Sequence, residues 1–289
     1  MIIVFGGKGY VGRAFCQALE RDGVPFHSVS RQTVDYYQSA ELGGMIKQLQ
    51  PTFLINAVGY TGKPNVVAYE VHRHACLLCN AVLSGVVREV CEPQNLPWGH
   101  LSSGCICSGD GPGNQGFSED DAPNFSFGSN YCSFYWGTKA LGEEALGSAK
   151  DCYIWRLRIP FDQLDGPRNY LSKLMRYERL LDVRNSVSHL GNFVYACLES
   201  ERRRVPFGVY NVTNSGSVTT RQVVRIIKQY RFQDRSFAYF ENEEDFMQLV
   251  AKAPCSSCVL NNGKLLEHGV PMPSVEDALH RALKEWCAA

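Results

Sequence analysis

The first twelve residues constrain the chain most. Ile2-Ile3-Val4-Phe5 is a short apolar run, three-quarters of it β-branched, and glycines follow at positions 6, 9 and 12. The run reads as a fully buried strand, and the residues after the glycines read as a helix through Leu19. A glycine turn joining a first strand to a first helix lets the backbone bend tightly. It also brings the helix N-terminus within reach of a pyrophosphate and allows the helix to pack on the strand. Gly6, Gly9, Tyr10, Val11 and Gly12 are therefore expected to cradle a dinucleotide, an ordinary tight turn being the alternative.

The next segments extend the alternation. Phe26–Val29 reads as a second strand and ends in Ser30-Arg31. A carboxylate there would hold the ribose 2′-hydroxyl of NAD, whereas a small hydroxyl followed by arginine suits the 2′-phosphate of NADP. NADP is the favoured cofactor, with Asp35 near enough in sequence to leave NAD open. Leu42–Leu49 reads as a helix and Thr52–Ile55 as a strand. That strand enters the small-residue turn Asn56-Ala57-Val58-Gly59, where a dinucleotide would cross the sheet. After the polar turn Tyr60–Asn65, a long helix is expected from about Val67 to Val90, carrying Asn80. A strand beginning near His100 ends in the hydroxyls of Ser102 and Ser103, and Ser108–Phe127, rich in Gly, Asp, Asn and Pro, reads as a long functional loop. The strand Tyr153–Leu157 completes a series of βαβ units. The fold class that follows is α/β, a doubly wound parallel (Rossmann) sheet over residues 1–160. A smaller C-terminal α/β lobe takes up most of 161–289, with some segments returning to the sheet. Asn169–Leu180, Thr220–Tyr230, Glu244–Ala251 and Val275–Trp286 read as its helices, and Gly208–Val212 as a strand.

Between the loop and the fifth strand lies Phe134-Tyr135-Trp136-Gly137-Thr138-Lys139. On a helix Tyr135 and Lys139 share one face, a turn apart. An ammonium beside a phenol favours the phenolate, so the phenol can release and recover a proton nearer neutral pH, which hydride transfer to a carbonyl requires. Tyr-x3-Lys also occurs in many helices with no such role.

Composition narrows the remaining classes. The 289 residues carry 29 basic and 29 acidic side chains, so nothing suggests nucleic acid or an anionic membrane surface as partner. No apolar run is expected to span a bilayer, and the chain opens on a strand without a targeting signature, from which a cytoplasmic protein is expected. Twelve cysteines include two Cys-x2-Cys pairs, Cys76/Cys79 and Cys255/Cys258. The pairs are far apart and the first is helical, so buried thiols in a reducing compartment are expected, with no metal site.

Glycine turn, strand-terminal Ser103 and Tyr135/Lys139 form an ordered set that resembles the extended short-chain dehydrogenase/reductase superfamily over nearly the whole chain. The closest resemblance is to nucleotide-sugar 4-ketoreductases, which include dTDP-4-dehydrorhamnose reductase and the plant-type bifunctional 3,5-epimerase/4-reductase. It is carried by Asn56–Val66, Ser103–Ile106, Glu119–Phe125, Arg156–Pro160, Pro167–Lys173, Tyr210–Asn214 and Ala253–Leu265. It implies an NADPH-dependent reduction of a nucleotide-linked 4-keto-6-deoxy sugar coupled to 3- and/or 5-epimerisation. Ser103 and Tyr135 would hold the C4 oxygen, Tyr135 would give the proton, and Lys139 would contact the nicotinamide ribose. Cys105 and Lys173 match the acid/base pair for epimerisation. Asn56, Ala57 and Gly59 would line the cofactor, and Thr61, Lys63, Asn65, Ser103 and Asn169 the substrate. A homodimer is compatible with the resemblance. The chain departs from the family where an arginine commonly follows Ala-Pro, because Cys255 stands there. A 4,6-dehydratase or 4-epimerase is a rival of the same superfamily, but dehydratases place acidic residues after the Ser/Thr, where this chain has Gly104-Cys105. A rival of another class is a non-catalytic NADP-binding regulatory subunit, such as that of methionine adenosyltransferase.

Overall fold

The computed structural model describes residues 1–60, 62, 68–128, 132–249 and 256–287. Its centre is a six-stranded, all-parallel sheet in the order β10-β5-β4-β3-β1-β2. The strands are β1 (Ile2–Phe5), β2 (Phe26–Val29), β3 (Phe53–Asn56), β4 (Trp98–Ser103), β5 (Cys152–Leu157) and β10 (Gly208–Asn211). The strand order reverses between β1 and β3, the switch point at whose carboxyl ends a ligand crevice opens. The doubly wound α/β fold read from the sequence is what the chain adopts.

Helices cover both faces, as a parallel sheet demands. α1 (Tyr10–Arg21) and α8 (Leu190–Arg202) close one side around Phe15, Trp155 and Phe193. α2 (Ser39–Leu49), α5 (Leu83–Cys91) and α6 (Phe134–Leu146) close the other around Leu42, Leu83 and Trp98. The long helix expected from Val67 begins, within the described residues, as α3 (Ala68–Val71) and α4 (Arg73–Leu77), and a π-helical segment, Leu78–Val82, separates α4 from α5. The run Arg73–Gln94 is, by length and composition alone, apolar enough to cross a membrane, contrary to the sequence expectation. Here its apolar side is spent on the core, through Cys76, Ala81, Leu83, Val87 and Cys91.

A third core belongs to a smaller lobe. α7 (Tyr170–Arg176), α9 (Thr220–Tyr230) and α12 (Val275–Lys284) supply it, with the two-residue strands β6 (Pro160–Phe161), β7 (Arg179–Leu180), β8 (Arg184–Asn185), β9 (Ser188–His189), β11 (Val218–Thr219) and β12 (Ala238–Tyr239). α10 (Glu243–Leu249) and α11 (Gly263–Glu267) complete the described α-helices. The helix expected over Asn169–Leu180 stops at Arg176, because Tyr177 turns extended and Arg179-Leu180 pairs with β12. The chain crosses between the two bodies repeatedly. β10 joins β5 in the large sheet, and residues 257–260 lie against the long loop through bridges Gly109–Cys258 and Phe117–Leu260.

Candidate active site

The glycine turn is open for a diphosphate. Gly6 has φ +73°, and a Cβ on it would stand 2.8 Å from the Ala57 carbonyl oxygen. A Cβ on Gly12 would collide with the Gly6 carbonyl, so residues 6 and 12 must lack side chains for the turn to close on α1. α1 starts at Tyr10 with no side-chain cap and no acidic residue in its first turn, leaving its N–H groups for an anion. Val11 follows in the same turn. The residues present thus fit a dinucleotide. The Tyr10 hydroxyl is buried and faces Asp162 outside hydrogen-bond geometry, and burial followed by the Asp162 charge raises its pKa.

At the end of β2, Ser30 closes a turn with Thr33, whose hydroxyl donates to the Ser30 carbonyl at 2.7 Å. Arg31 is exposed, its guanidinium 5.7 Å from the centre of the Tyr37 ring. The Asp35 carboxylate accepts from the Tyr37 amide, so it is engaged locally.

The carboxyl end of β3 is held from beneath. Asn56 is fully buried; its Oδ1 accepts from the Val58 amide and its Nδ2 lies 3.2 Å from His100 Nδ1. With Nδ1 accepting, Nε2 carries the proton toward the Ser84 hydroxyl, and the ring is neutral. Burial, then the Lys139 charge, pushes His100 down to about 3. Asn56 is thus a support of the turn rather than a side-chain ligand, while Ala57 and Gly59 present backbone.

Gly59 lies beside Asn80 and Lys139. A Cβ there would stand 3.4 Å from Asn80 Oδ1 and 3.5 Å from Lys139 Nζ. Asn80, inside the π-helical segment, accepts from the Tyr60 amide at 2.9 Å and donates to the Tyr60 carbonyl and to the Thr138 hydroxyl, both at 3.2 Å. It ties the β3 loop to α6 one residue before Lys139. The sequence places Asn80 within the long helix and assigns it no role; a polar amide in an apolar helix is its one available signal.

Lys139 is 4% exposed and donates to the Leu101 carbonyl at 3.0 Å. Burial lowers its pKa, opposed by Cys105, Cys76 and Glu143. One turn on, Glu143 receives a bidentate Arg156 at 2.8–3.2 Å and a short hydrogen bond from Ser102. Ser102 is therefore taken and Ser103 is the hydroxyl left at the mouth of β4. Its Oγ accepts from the Cys105 amide at 3.4 Å, which leaves the hydroxyl hydrogen to donate.

Tyr135 sits in the first turn of α6, which Ser133 caps, and packs against the cluster of Cys105, Phe125 and Trp136. Ser103, Tyr135, Lys139 and Cys105 thus share the carboxyl end of β4 and the face of α6 above it. Burial pushes the Cys105 thiol up to about 12, against the opposing effects of Ser103, Arg158 and Lys139.

The other expected residues divide. Lys173 lies on α7, in the smaller lobe; burial and then the Arg168 charge lower its pKa. Arg168 donates to the Gly62 carbonyl at 3.1 Å, so this lobe reaches the β3 loop. Asn169, expected at the substrate, is fully buried instead. It caps α7 through the Leu171 amide and donates to Asp162 and Leu164 at 2.8 Å, so its amide hydrogens are committed within the protein. Thr61, Lys63, Asn65 and Cys255 lie outside the described residues. Every described cysteine is a free thiol, and among the described residues no group of three or more His, Cys, Asp or Glu could hold a metal.

The chain is similar to several known proteins. The chain is 29% identical over 283 residues to the bifunctional dTDP-4-dehydrorhamnose 3,5-epimerase/dTDP-4-dehydrorhamnose reductase of Arabidopsis thaliana, covering 96% of this chain and 90% of that protein. It is also 29% identical over 282 residues to an A. thaliana trifunctional UDP-glucose 4,6-dehydratase/UDP-4-keto-6-deoxy-D-glucose 3,5-epimerase/UDP-4-keto-L-rhamnose-reductase, of which it spans only 41%. Among solved structures, the L780 UDP-rhamnose synthase of Acanthamoeba polyphaga mimivirus superposes with a TM-score of 0.89 at 21% identity, covering 98% of both chains. The dTDP-4-dehydrorhamnose reductase of Bacillus anthracis in complex with NADP gives 0.79 at 18% identity, over 98% of this chain and 97% of that one. Matched over residues 1–287 by the model described as RmlD substrate binding domain, the chain belongs to that family.

Proposed function

We propose that the protein is an NADPH-dependent reductase of a nucleotide-linked 4-keto-6-deoxy sugar that also epimerises carbon 3 and/or carbon 5. Lys139 carries this reading. A buried ammonium beside Gly59, one helical turn from Tyr135 and under the end of the strand bearing Ser103, is the placement that ketone reduction needs. The relatives named for rhamnose epimerase/reductase activities support the substrate class, and the NADP-bound neighbour and Arg31 support the cofactor.

A bound NADPH would supply the hydride to C4. Ser103 donates a hydrogen bond to the C4 oxygen, and Tyr135 gives it the proton as charge develops there. Lys139 orients the nicotinamide ribose and stabilises the phenolate left on Tyr135. For epimerisation, a base removes the acidic proton next to the ketone and an acid returns one from the other face of the ring. Burial keeps Cys105 a thiol and lowers the Lys173 ammonium, so Cys105 suits the donor and Lys173 the acceptor.

A panel of UDP-, dTDP- and GDP-linked 4-keto-6-deoxy sugars with NADPH in heavy water tests the reading, with products identified by mass and NMR. Tyr135→Phe should lower ketosugar-dependent NADPH oxidation by about 1000-fold while NADPH still binds. Near-normal turnover by that variant removes Tyr135 from the mechanism. No solvent deuterium in the wild-type product leaves a simple reductase.

A further inference from the structure

Three buried cations gather at the carboxyl ends of β4 and β5, and they are not balanced alike. Arg156 has Glu143 in a bidentate pair. Lys139 and Arg158 make no ion pair among the described residues, although they are 4% and 5% exposed. A buried guanidinium without a carboxylate is costly and calls for an anion at some stage of the protein's work.

Arg158 is fixed rather than adrift. Its Nη2 donates to Asn185 Oδ1 at 2.6 Å and to the Ser256 carbonyl at 2.5 Å, while its Nε is buried without a partner. Its side chain passes behind Gly104, where a Cβ would stand 3.5 Å from Arg158 Cδ. The charged and titratable groups that act on the Cys105 sulfur are Arg158 from the end of β5, Lys139 from α6 and Cys258 from the C-terminal segment, with Ser103 as its hydrogen-bond partner. Phe125 and Trp136 close the apolar side. No carboxylate is among them.

We infer that Arg158 is a positioning residue for the epimerisation: its carboxylate-free guanidinium, on a side chain whose Cδ lies beside Gly104 and so next to Cys105 in the chain, stabilises the negative charge left on Cys105 when that thiol gives its proton to the sugar. The inference rests on the epimerase reading above. In the step, the base takes the proton from the carbon next to the ketone and the electron pair moves into the enolate. The Cys105 S–H bond then breaks as a new C–H bond forms on the opposite face. The sulfur is left as thiolate and the base protonated, and proton return through solvent restores both, with no oxidant or reductant. Apolar walls alone would oppose that thiolate; the fixed cation offsets them.

The test uses full-length Arg158→Met and Arg158→Lys variants beside Cys105→Ser. Solvent deuterium uptake into a nucleotide-4-keto-6-deoxy sugar is read without NADPH. The rate of Cys105 modification by methyl methanethiosulfonate at pH 9 is resolved by tandem mass spectrometry. Arg158→Met should slow deuterium uptake about 100-fold, and Cys105 modification about tenfold for each unit by which the thiol rises. NADPH binding should stay within about twofold, and Arg158→Lys should recover part of both losses. Wild-type rates of both processes in Arg158→Met overturn the inference. Should that variant fail to bind NADPH, the charge-removing Arg158→Gln decides in its place, and unchanged Cys105 modification there overturns the inference too. If wild type takes up no deuterium, the epimerase reading fails. The modification rates then still decide whether Arg158 acts on this sulfur: slower modification in Arg158→Met sustains the electrostatic part, and an equal rate rejects it.

Discussion

The two walls of the crevice are built differently. Ser103, Tyr135 and Lys139 stand on a six-residue strand and a thirteen-residue helix, fixed by paired neighbours and by the Glu143–Arg156–Ser102 network. Lys173 stands on a seven-residue helix among two-residue strands, held by the Asn169–Asp162 clasp and by Arg168 reaching to Gly62. The proposed hydride-transfer side is set by secondary structure and a buried ion pair, whereas the Lys173 side is set by individual side-chain hydrogen bonds. Damage to the first should therefore cost stability, and damage to the second should cost the chemistry of that wall first.

Glu143→Ala strikes the first wall hardest. It leaves Arg156 buried without its carboxylate and should cost about 3–5 kcal/mol, read from urea unfolding of the whole protein. A loss under about 1 kcal/mol would mean that the ion pair does not hold this wall. Asn169→Ala removes a helix cap and two buried donors on the other side, for about 2 kcal/mol. Its deuterium uptake should fall well before its NADPH affinity; equal losses of both would erase the contrast between the walls. The smallest effect is on acid stability. His100 and His189 are pushed by burial to about 3 and about 4, from an ordinary 6.5. Below pH 6.5 the unfolded chain takes up protons that the native state refuses, so stability rises with pH in that window and is lost as pH falls. The urea midpoint should drop between pH 6.5 and 4.5, and His100→Gln should shallow the drop. An identical slope in that variant would place the acid-sensitive group elsewhere.

Much of the first wall was legible in the sequence because its signals are local. The glycine spacing, a strand ending in Ser102-Ser103, and Tyr135 four residues before Lys139 need only the helix and strand periods to be read. What escaped depends on pairings across the fold. Asn80 meets Tyr60 twenty residues away, Glu143 meets Arg156 across a helix and a strand, and Asn169 turns inward to Asp162. Two arginines in the buried strand end Arg156-Leu157-Arg158 hinted at such partners, since buried charge needs compensation, but not at which ones. The helix expected past Arg176 failed for the same reason, because strand pairing with Ala238-Tyr239 overrode local helix preference.

The π-helical segment at Leu78–Val82 has a consequence for how this chain can change. One surplus residue in a helix turns everything before it by roughly 100° relative to everything after. Cys76 and Ser84 on either side of the segment are both buried, with Asn80 at the break. Deleting a single position there would straighten the rod and swing Asn80 away from Tyr60. A deletion scan along 72–90 would therefore find its most sensitive point at the offset itself.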